Sequence, residues 1–487
     1  MISFTLSLVA LLLGYLLYGR LVERIFRPDN RVTPAVSKAD GLDYIVLPGW
    51  KIFMIQFLNI AGTGPIFGAI MGAKFGPVAY LWIVLGCIFA GATHDYLSGM
   101  LSMRNEGAGL PELIGKYLGK TTKNVMLVFT VLLLIMVGTV FVYSPAEILH
   151  SIGGDTMMWV GIIFAYYIIA TMLPIDKIIG KVYPLFAFSL LFMAGALMMV
   201  LYVKWPQLPE LWSHLYNMGA EAQPEKWTDA IFPALFITIA CGAISGFHAT
   251  QSPLMARCVK SERMGRPIFY GAMITEGVVA LIWATVASWF FYGDPTPGYE
   301  LIAGAHKGFY TSAPAVVNLV CNDWLGVVGA ILAMLGVVAA PITSGDTAFR
   351  SGRLIVAEWL KLNQRPVMNR FYICIPMFGI SVAMLIWQIE NPDGFNTIWQ
   401  YFGFSNQALS VFTLWTLTVY LVQEKKPFII TLIPALFMTT VCSTFLFISK
   451  QAFHLPASVS YPMGGACFVV ALVWFCLWYR KYQNNHQ

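Results

Sequence analysis

The chain has 487 residues, of which 58% are hydrophobic and only 11% are charged. Soluble proteins carry about 25% charged residues, so this composition excludes a string of soluble domains. Apolar runs of roughly 20 residues recur along the chain, each long enough to cross a ~30 Å hydrocarbon layer. The sequence therefore predicts an all-α polytopic membrane protein whose permanent partner is the lipid bilayer. The net charge of +6 does not indicate nucleic-acid binding.

The eight cysteines stand singly and form no CxxC pair. We expect them to be packing residues rather than a disulfide or metal framework, and we expect no cofactor. The first apolar run, 2–18, has no basic segment before it and no small-residue cleavage site. Four arginines follow it, between Arg20 and Arg31, which is typical of a membrane span with a basic stop rather than of a cleaved signal peptide.

Thirteen candidate spans follow from the apolar runs: 3–19, 51–73, 77–101, 124–148, 156–173, 181–203, 229–256, 267–292, 323–347, 370–389, 396–422, 428–449 and 461–480. Twenty-five of the 30 Lys and Arg residues fall in one alternating set of loops and five in the other. Because cytoplasmic loops are rich in basic residues, this asymmetry predicts an outside N-terminus and an inside C-terminus.

Two of these spans are interrupted by residues that break helices. "NIAGTGPIFGAI" (59–70) and "CGAISGFHATQSP" (241–253) both place glycine and proline within apolar sequence. Irregular backbone at membrane depth is stable only where it is buried in protein or lines a wet cavity. The alternative is that these residues only kink a helix or allow close packing.

Each broken span is followed by four further spans, and the two run in opposite directions. This outline predicts two five-helix repeats of inverted topology, each with a broken first helix. The predicted regions are an N-terminal helix and basic loop (1–50), the first repeat (51–203), an extracytoplasmic connection (204–228), the second repeat (229–422) and two C-terminal helices with a short tail (423–487).

A hydroxyl residue precedes a proline at both breaks, Thr63 before Gly64-Pro65 and Ser252 before Pro253. This order is typical of a helix start. Two half-helices beginning at the middle of the membrane would turn positive dipole ends toward the same place. We therefore expect a substrate that carries a carboxylate.

The stretch from Pro48 to Gly119, together with "SGFHATQSP" from Ser245, "TEGVVALIWA" from Thr275 and "FGFSNQAL" from Phe402, resembles the carbon starvation protein family. That family is associated with carbon starvation, a stress response, and with the uptake of peptides and of pyruvate with protons. It is grouped with the amino acid–polyamine–organocation transporters, so the resemblance implies a LeuT-like fold and alternating access at the cytoplasmic (inner) membrane. This chain is shorter than the best-known enterobacterial members.

Polar groups in and beside the breaks are the candidates for substrate binding: Gly62, Thr63, Gly64, Ser245, Gly246, His248, Asn406 and Gln407. His248 can donate to a carboxylate and titrates near neutral pH. For His248, Asn406 and Gln407 the alternative is a structural role, such as a hydrogen bond between two helices.

Glu276 is the leading candidate for ion coupling, since it lies about 14 Å into its span at 1.5 Å per residue. Burial disfavours the charged form of a carboxyl group, which suits a proton carrier. Asp95 follows His94 near the inner end of the third span, but consecutive helical residues point to different faces, so structural bonding is the main alternative there.

The ninth span ends in "APITSGDTAFRSGR" (340–353), which contributes Thr343, Ser344 and Asp346. The resemblance implies a cation site for Thr343 and Ser344, because sodium-coupled relatives carry a Thr/Ser pair on the equivalent helix. The alternative is an ion pair of Asp346 with Arg350, one helical turn away. Lys181 is a further candidate, whose ammonium could replace a metal cation and favour proton coupling.

An enzyme is not expected. "TSGD" ending at Asp346 partly matches the GxGD stretch of intramembrane aspartyl proteases, with Asp95 as a possible mate, but the setting of the first aspartate is absent. HExxH and GxSxG are also absent. A channel would need a filter-like loop, and a sensor would need a soluble output domain. Neither is found in this sequence. The prediction is a proton symporter for pyruvate or short peptides, with a sodium-coupled carrier as the alternative.

Overall fold

The computed structural model describes residues 1–150, 153–172, 179–224, 227, 229–294, 296–302, 308–391 and 394–485. The main helices are α1 (Ile2–Phe26), α2 (Gly49–Ala61), α3 (Gly64–Ala73), α4 (Val78–Arg104), α5 (Leu110–Leu118), α6 (Lys120–His150), α7 (Thr156–Met172), α8 (Ile179–Lys204), α9 (His248–Ala256), α10 (Glu262–Tyr292), α11 (Ala313–Leu360), α12 (Val367–Glu390), α13 (Gly394–Gln423), α14 (Ile429–Ile448) and α15 (Ala457–Asn485). These residues include no β-strand.

Within the described ranges, nine helices are long and apolar enough to cross a membrane. The bent pair α2–α3 raises the number to ten, and α7 is a shorter apolar helix of 17 residues. The all-helical membrane class is therefore confirmed. The count of thirteen spans and the division into two inverted repeats stay predictions.

The first break separates α2 from α3, and the two helix axes differ by 53°. Gly62 has φ +47°, a left-handed conformation that favours glycine, and a Cβ there would lie 2.8 Å from the ring of Phe141. Thr63 stands directly before α3, as predicted, but its hydroxyl makes no capping hydrogen bond. The carbonyl of Thr63 instead accepts from the backbone N–H of Phe67, at 2.8 Å.

The second break is longer. A short helical turn ends at Thr238, and the chain from 239 to 247 runs without regular helix into α9. Gly242 has φ +90°, and a Cβ there would lie 2.5 Å from the Cβ of Ala280 on α10.

The predicted helix start at Pro253 is wrong, because α9 begins at His248 and contains Pro253. The nearby hydroxyls do not cap a later helix. Ser252 Oγ donates to the carbonyl of His248 at 3.0 Å, and Thr250 Oγ1 donates to the carbonyl of Phe247 at 2.6 Å. These bonds to the first turn belong to a helix that has already begun.

The two breaks pack directly against each other, as the sequence predicted. A Cβ on Gly64 would lie 2.3 Å from the Sγ of Cys241, so only glycine permits this approach. One turn further along α3, a Cβ on Gly68 would lie 2.8 Å from the carbonyl oxygen of Thr238.

Helix α10 lies beside both breaks and is 83% buried over its most apolar window, whereas α15 at the C-terminal end is only 17% buried. Large apolar side chains of α15, such as Trp474 and Val470, are exposed. Exposed apolar surface of this kind suits contact with lipid. The breaks therefore lie in the interior of the bundle, away from the predicted lipid-facing surface.

Candidate functional site

Four buried ionisable side chains form a continuous chain of contacts, which we call the acid–imidazole row: His94, Asp95, His248 and Glu276. Nδ1 of His94 lies 2.8 Å from Oδ1 of Asp95, and Nδ1 of His248 lies 2.8 Å from Oδ2 of the same carboxylate. Nε2 of His248 lies 3.4 Å from Oε2 of Glu276. All four residues have no exposed surface.

Three separate elements bring these groups together. His94 and Asp95 lie on α4, His248 is the first residue of α9, and Glu276 lies on α10. The expectation that His94 and Asp95 point apart is wrong, because the imidazole turns back onto the neighbouring carboxylate. Asp95 is therefore hydrogen-bonded to one imidazole of its own helix and to one across the interface with α9.

The charge state of Asp95 determines which nitrogens carry hydrogen. An ionised carboxylate only accepts, so in that state Nδ1–H of both imidazoles would donate to Asp95. This leaves Nε2 of His248 3.4 Å from Oε2 of Glu276, and neither atom has a hydrogen-bond partner among the described residues. A small approach of the two side chains would bring them within hydrogen-bond distance and allow them to share a proton.

Cys241 completes the surroundings of the row. Its Sγ, Nε2 of His248 and a carboxylate oxygen of Glu276 lie within 4.8 Å of one another. Three such atoms can share protons or accept a divalent ion. We interpret the group as a proton-sharing one, because imidazole and carboxylate alternate from His94 to Glu276 and each is in contact with the next.

Asn406 on α13 holds the second break in shape. Its Oδ1 accepts from Ser245 Oγ at 2.9 Å and from the backbone N–H of Phe247 at 2.7 Å, and its carbonyl accepts from Gly246 N–H at 3.1 Å. A Cβ on Gly246 would lie 2.4 Å from the backbone nitrogen of Ser410. The structure thus places these predicted residues side by side, directly before His248.

Gln407 does not contribute to this contact. Its Nε2 donates to the carbonyl of Phe236 at 2.7 Å, which lies before the second break. This hydrogen bond joins α13 to another segment of the chain, as expected if Gln407 has a structural role.

Ser344 on α11 reaches the first break, whereas Thr343 does not. Ser344 Oγ lies 3.0 Å from the carbonyl oxygens of both Leu58 and Asn59, in the last turn of α2. The hydroxyl of Thr343 donates within its own helix, to the carbonyls of Ala339 and Ala340. Of the predicted pair, one hydroxyl therefore contacts the broken helix.

The hydrogen-bond partner of Asp346 is Tyr183, which was not among the predicted site residues. Its Oδ2 accepts from the hydroxyl of Tyr183 on α8 at 2.6 Å. Arg350, the expected partner, contacts Asp43 at 3.7 Å and the carbonyl of Ala170 at 2.7 Å. The side chain of Lys181 lies outside the described residues.

Sequence reasoning missed Asn59, which lies at the end of α2. Asn59 is completely buried, and neither its amide nitrogen nor its amide oxygen has a hydrogen-bond partner among the described residues. The same holds for the hydroxyl of Thr63. Buried polar groups are normally hydrogen-bonded, so these atoms mark a place suited to a polar ligand. The available signal was a pair of amides, Gln56 and Asn59, within an apolar run.

The chain is 44% identical to an "Uncharacterized membrane protein" of Haemophilus influenzae, over 61% of this chain and 92% of that protein, and other relatives are described as transporters. The family model for carbon starvation protein CstA matches residues 1–152, 142–296 and 299–445. The chain is 26% identical to "Peptide transporter CstA" of Campylobacter jejuni, over 88% of this chain and 77% of that protein. It is 24% identical to "Pyruvate/proton symporter BtsT" of Escherichia coli K12, over 90% of this chain and 80% of that protein.

Solved structures share the fold at low sequence identity. The Eremococcus coleocola manganese transporter in complex with an aromatic bis-isothiourea substituted compound matches with a TM-score of 0.56 and 11% identity, over 91% of this chain and 99% of that chain. A Na⁺-coupled sialic acid symporter in a substrate-bound outward-open state matches with a TM-score of 0.53 and 15% identity, over 96% of both chains. Both likenesses concern the fold alone.

Proposed function

Because this chain belongs to the carbon starvation protein CstA family, we propose that it imports a small carboxylate-bearing nutrient, pyruvate or a short peptide, by proton symport. The relatives named above are transporters and not enzymes, so transport itself is the common activity. The proposal adds the substrate class, the coupling ion and alternating access at the cytoplasmic membrane, with the N-terminus outside.

The observation that carries the proposal is the acid–imidazole row beside two contacting helix breaks. A proton carrier needs a buried group that binds and releases a proton as the surroundings change. Glu276 faces His248 at 3.4 Å, and His248 is held from its other side by Asp95. A shift of α9 relative to α10 would change that contact directly.

The substrate carboxylate is assigned to the first break. Helix α3 begins at Gly64, so its positive dipole end lies at the first break. Asn59 and Thr63 add buried side-chain groups at the same place. The row and the first break touch through Cys241 and Gly64, so substrate and proton would bind at neighbouring positions.

A sodium-coupled carrier is the second candidate, and Ser344 is the observation that favours it. The Ser344 hydroxyl and two backbone carbonyls are the oxygen ligands that a hard cation prefers. In this structure, however, the hydroxyl contacts both carbonyls at 3.0 Å, within hydrogen-bond distance. Uptake under imposed sodium and proton gradients distinguishes the two candidates.

The test is uptake by purified protein in proteoliposomes. Labelled pyruvate and labelled dipeptides are supplied under an imposed proton gradient, an imposed sodium gradient or no gradient. We expect one substrate class to accumulate with the proton gradient and to show counterflow without any gradient. Accumulation that follows only the sodium gradient would replace the proton proposal by the second candidate. Absence of counterflow with both substrates would overturn the proposed substrate class.

A further inference from the structure

An ion pair joins the end of α9 to the end of α11. Arg257 directly follows the last residue of α9, and its Nη2 lies 2.5 Å from Oε1 of Glu358, in the last turn of α11. Arg257 is 4% exposed, whereas the side chain of Glu358 is 31% exposed. The pair therefore lies at the boundary between the interior and the surface, and it fixes the two helix ends relative to each other.

Two further segments close around the same guanidinium group. Nε of Arg257 donates at 2.9 Å to the carbonyl of Gly107, between α4 and α5. The guanidinium carbon lies 5.2 Å from the ring centroid of Tyr44, within the range of a cation–π contact. The hydroxyl of Tyr44 in turn donates to the carbonyl of Glu106 at 3.1 Å. Arg257 thus contacts three segments besides its own.

The backbone around Arg257 is also tightly packed. Gly107 has φ +78°, and a Cβ there would lie 2.8 Å from Cγ of Arg257, so this approach requires glycine. The N–H of Leu47, in the segment before α2, donates to the carbonyl of Cys258 at 3.2 Å. Cys258 has no exposed surface. The segment before α2 therefore covers the end of α9.

Helix α9 connects this covered end with the acid–imidazole row. It begins at His248 and ends at Ala256, which makes it about 14 Å long at 1.5 Å per residue. All of its residues are buried. Packed helices of this kind shift as units rather than bend continuously. A displacement of Arg257 would therefore also displace His248.

We propose that the ion pair of Arg257 with Glu358 closes the transport pathway on the side predicted to face the cytoplasm, and that its opening moves α9 together with His248. This inference rests on the proposed function. When the pair separates, the end of α9 leaves α11, and the contact of His248 with Glu276 changes in the same movement. Release of the proton and opening toward the cytoplasm are then a single event.

The test uses two native cysteines as reporters of opening. Cys258 lies beside the ion pair and Cys241 lies beside the row, and both are buried in this structure. A small, membrane-impermeant methanethiosulfonate is added to inside-out and to right-side-out vesicles. Mass spectrometry of the digested protein then gives the rate of modification of each cysteine. Faster modification of Cys241 reports a path that reaches the row, whereas Cys258 alone reports only local loosening.

For Glu358→Gln and for Arg257→Gln we expect Cys241 to be modified at least about tenfold faster from the cytoplasmic face, because a charged hydrogen bond is lost. Its rate from the opposite face should change by less than about twofold. Lys123→Gln is the matched control, since it removes the ion pair with Glu112 that joins α5 to α6. Both rates in this control should stay within about twofold of wild type.

Arg257→Lys should give a smaller increase than Arg257→Gln, because it keeps the charge but not the planar geometry. An unchanged rate at Cys241 in both Glu358→Gln and Arg257→Gln would overturn the proposal, even if Cys258 became more reactive. Equal increases from both faces would also overturn it. Wild-type vesicles that show no counterflow of pyruvate or dipeptides would instead contradict the proposed function itself.

Discussion

The two breaks touch each other but are held by different chemistry. The first break is two residues long, and its polar groups, Asn59 and Thr63, are neutral and have no described hydrogen-bond partner. The second break spans 239–247, is held by Asn406 and ends at the acid–imidazole row. The difference suggests a division of labour in which the first break binds substrate and the second binds the proton.

We expect the largest effect on transport from a change at the contact between the two breaks. Replacement of Gly64 by Leu places side-chain atoms where Cys241 Sγ lies, 2.3 Å from the position of a Cβ. We expect transport to fall by at least about 100-fold, since small displacements at a binding site have effects of this size. Gly195→Leu is the matched control, because a Cβ at Gly195 meets nothing within 4 Å. Uptake by Gly64→Leu at the level of this control would contradict the account.

The shape of the second break can be tested separately at Asn406. Asn406→Ala removes the acceptor for Ser245 Oγ and for the Phe247 N–H. We expect proton-driven uptake to fall about tenfold, from the loss of one to two net hydrogen bonds, while equilibrium exchange is less affected. Gln407→Ala serves as the control and should change uptake by less than about threefold. A larger loss in the control than in Asn406→Ala would contradict the assignment.

We expect a smaller effect on uptake from a change at the contact between α11 and the first break. Ser344→Ala removes the hydroxyl that lies 3.0 Å from the carbonyls of Leu58 and Asn59. Under the proton proposal the hydroxyl supports the break rather than an ion, so we expect uptake to fall by about threefold at every sodium concentration. Thr343→Val, whose hydroxyl bonds only its own helix, should be close to wild type. Loss of a sodium-stimulated component in Ser344→Ala would favour the sodium candidate.

Removal of metal should have the smallest effect. Cys241, His248 and Glu276 are close enough to hold an ion, but we interpret them as proton-binding groups. Treatment of proteoliposomes with EDTA and a membrane-permeant chelator should leave initial uptake rates unchanged. Metal analysis of the purified protein provides the second readout. Chelator-sensitive uptake that is restored by zinc or manganese would identify a metal centre in place of the proton-sharing row.

The comparison of the breaks also shows how far local sequence determines the site. Gly62 and Gly64 predicted the first break because left-handed backbone and close approach both favour glycine. At the second break the location was predicted, but the helix start was wrong. Ser252 and Pro253 form a capping pattern, yet the pattern does not reveal that the hydroxyl bonds a carbonyl of an earlier turn.

Contacts between distant segments account for what the sequence did not predict. Glu276 was selected by its depth, but its pairing with His248 depends on the packing of α9 against α10. The contact of Asp43 with Arg353 joins segments about 310 residues apart, and no local pattern indicates it. Residue type and position thus predicted which groups were candidates, and tertiary packing determined their partners.

The most direct test of the central claim, that the acid–imidazole row carries the proton, uses Glu276→Gln. Glutamine keeps the size of the side chain and can still contact His248, but it cannot titrate. In proteoliposomes we expect this variant to retain substrate exchange within about threefold of wild type. It should fail to accumulate substrate when a proton gradient is imposed. Accumulation by Glu276→Gln in response to that gradient, at the wild-type level, would contradict the account.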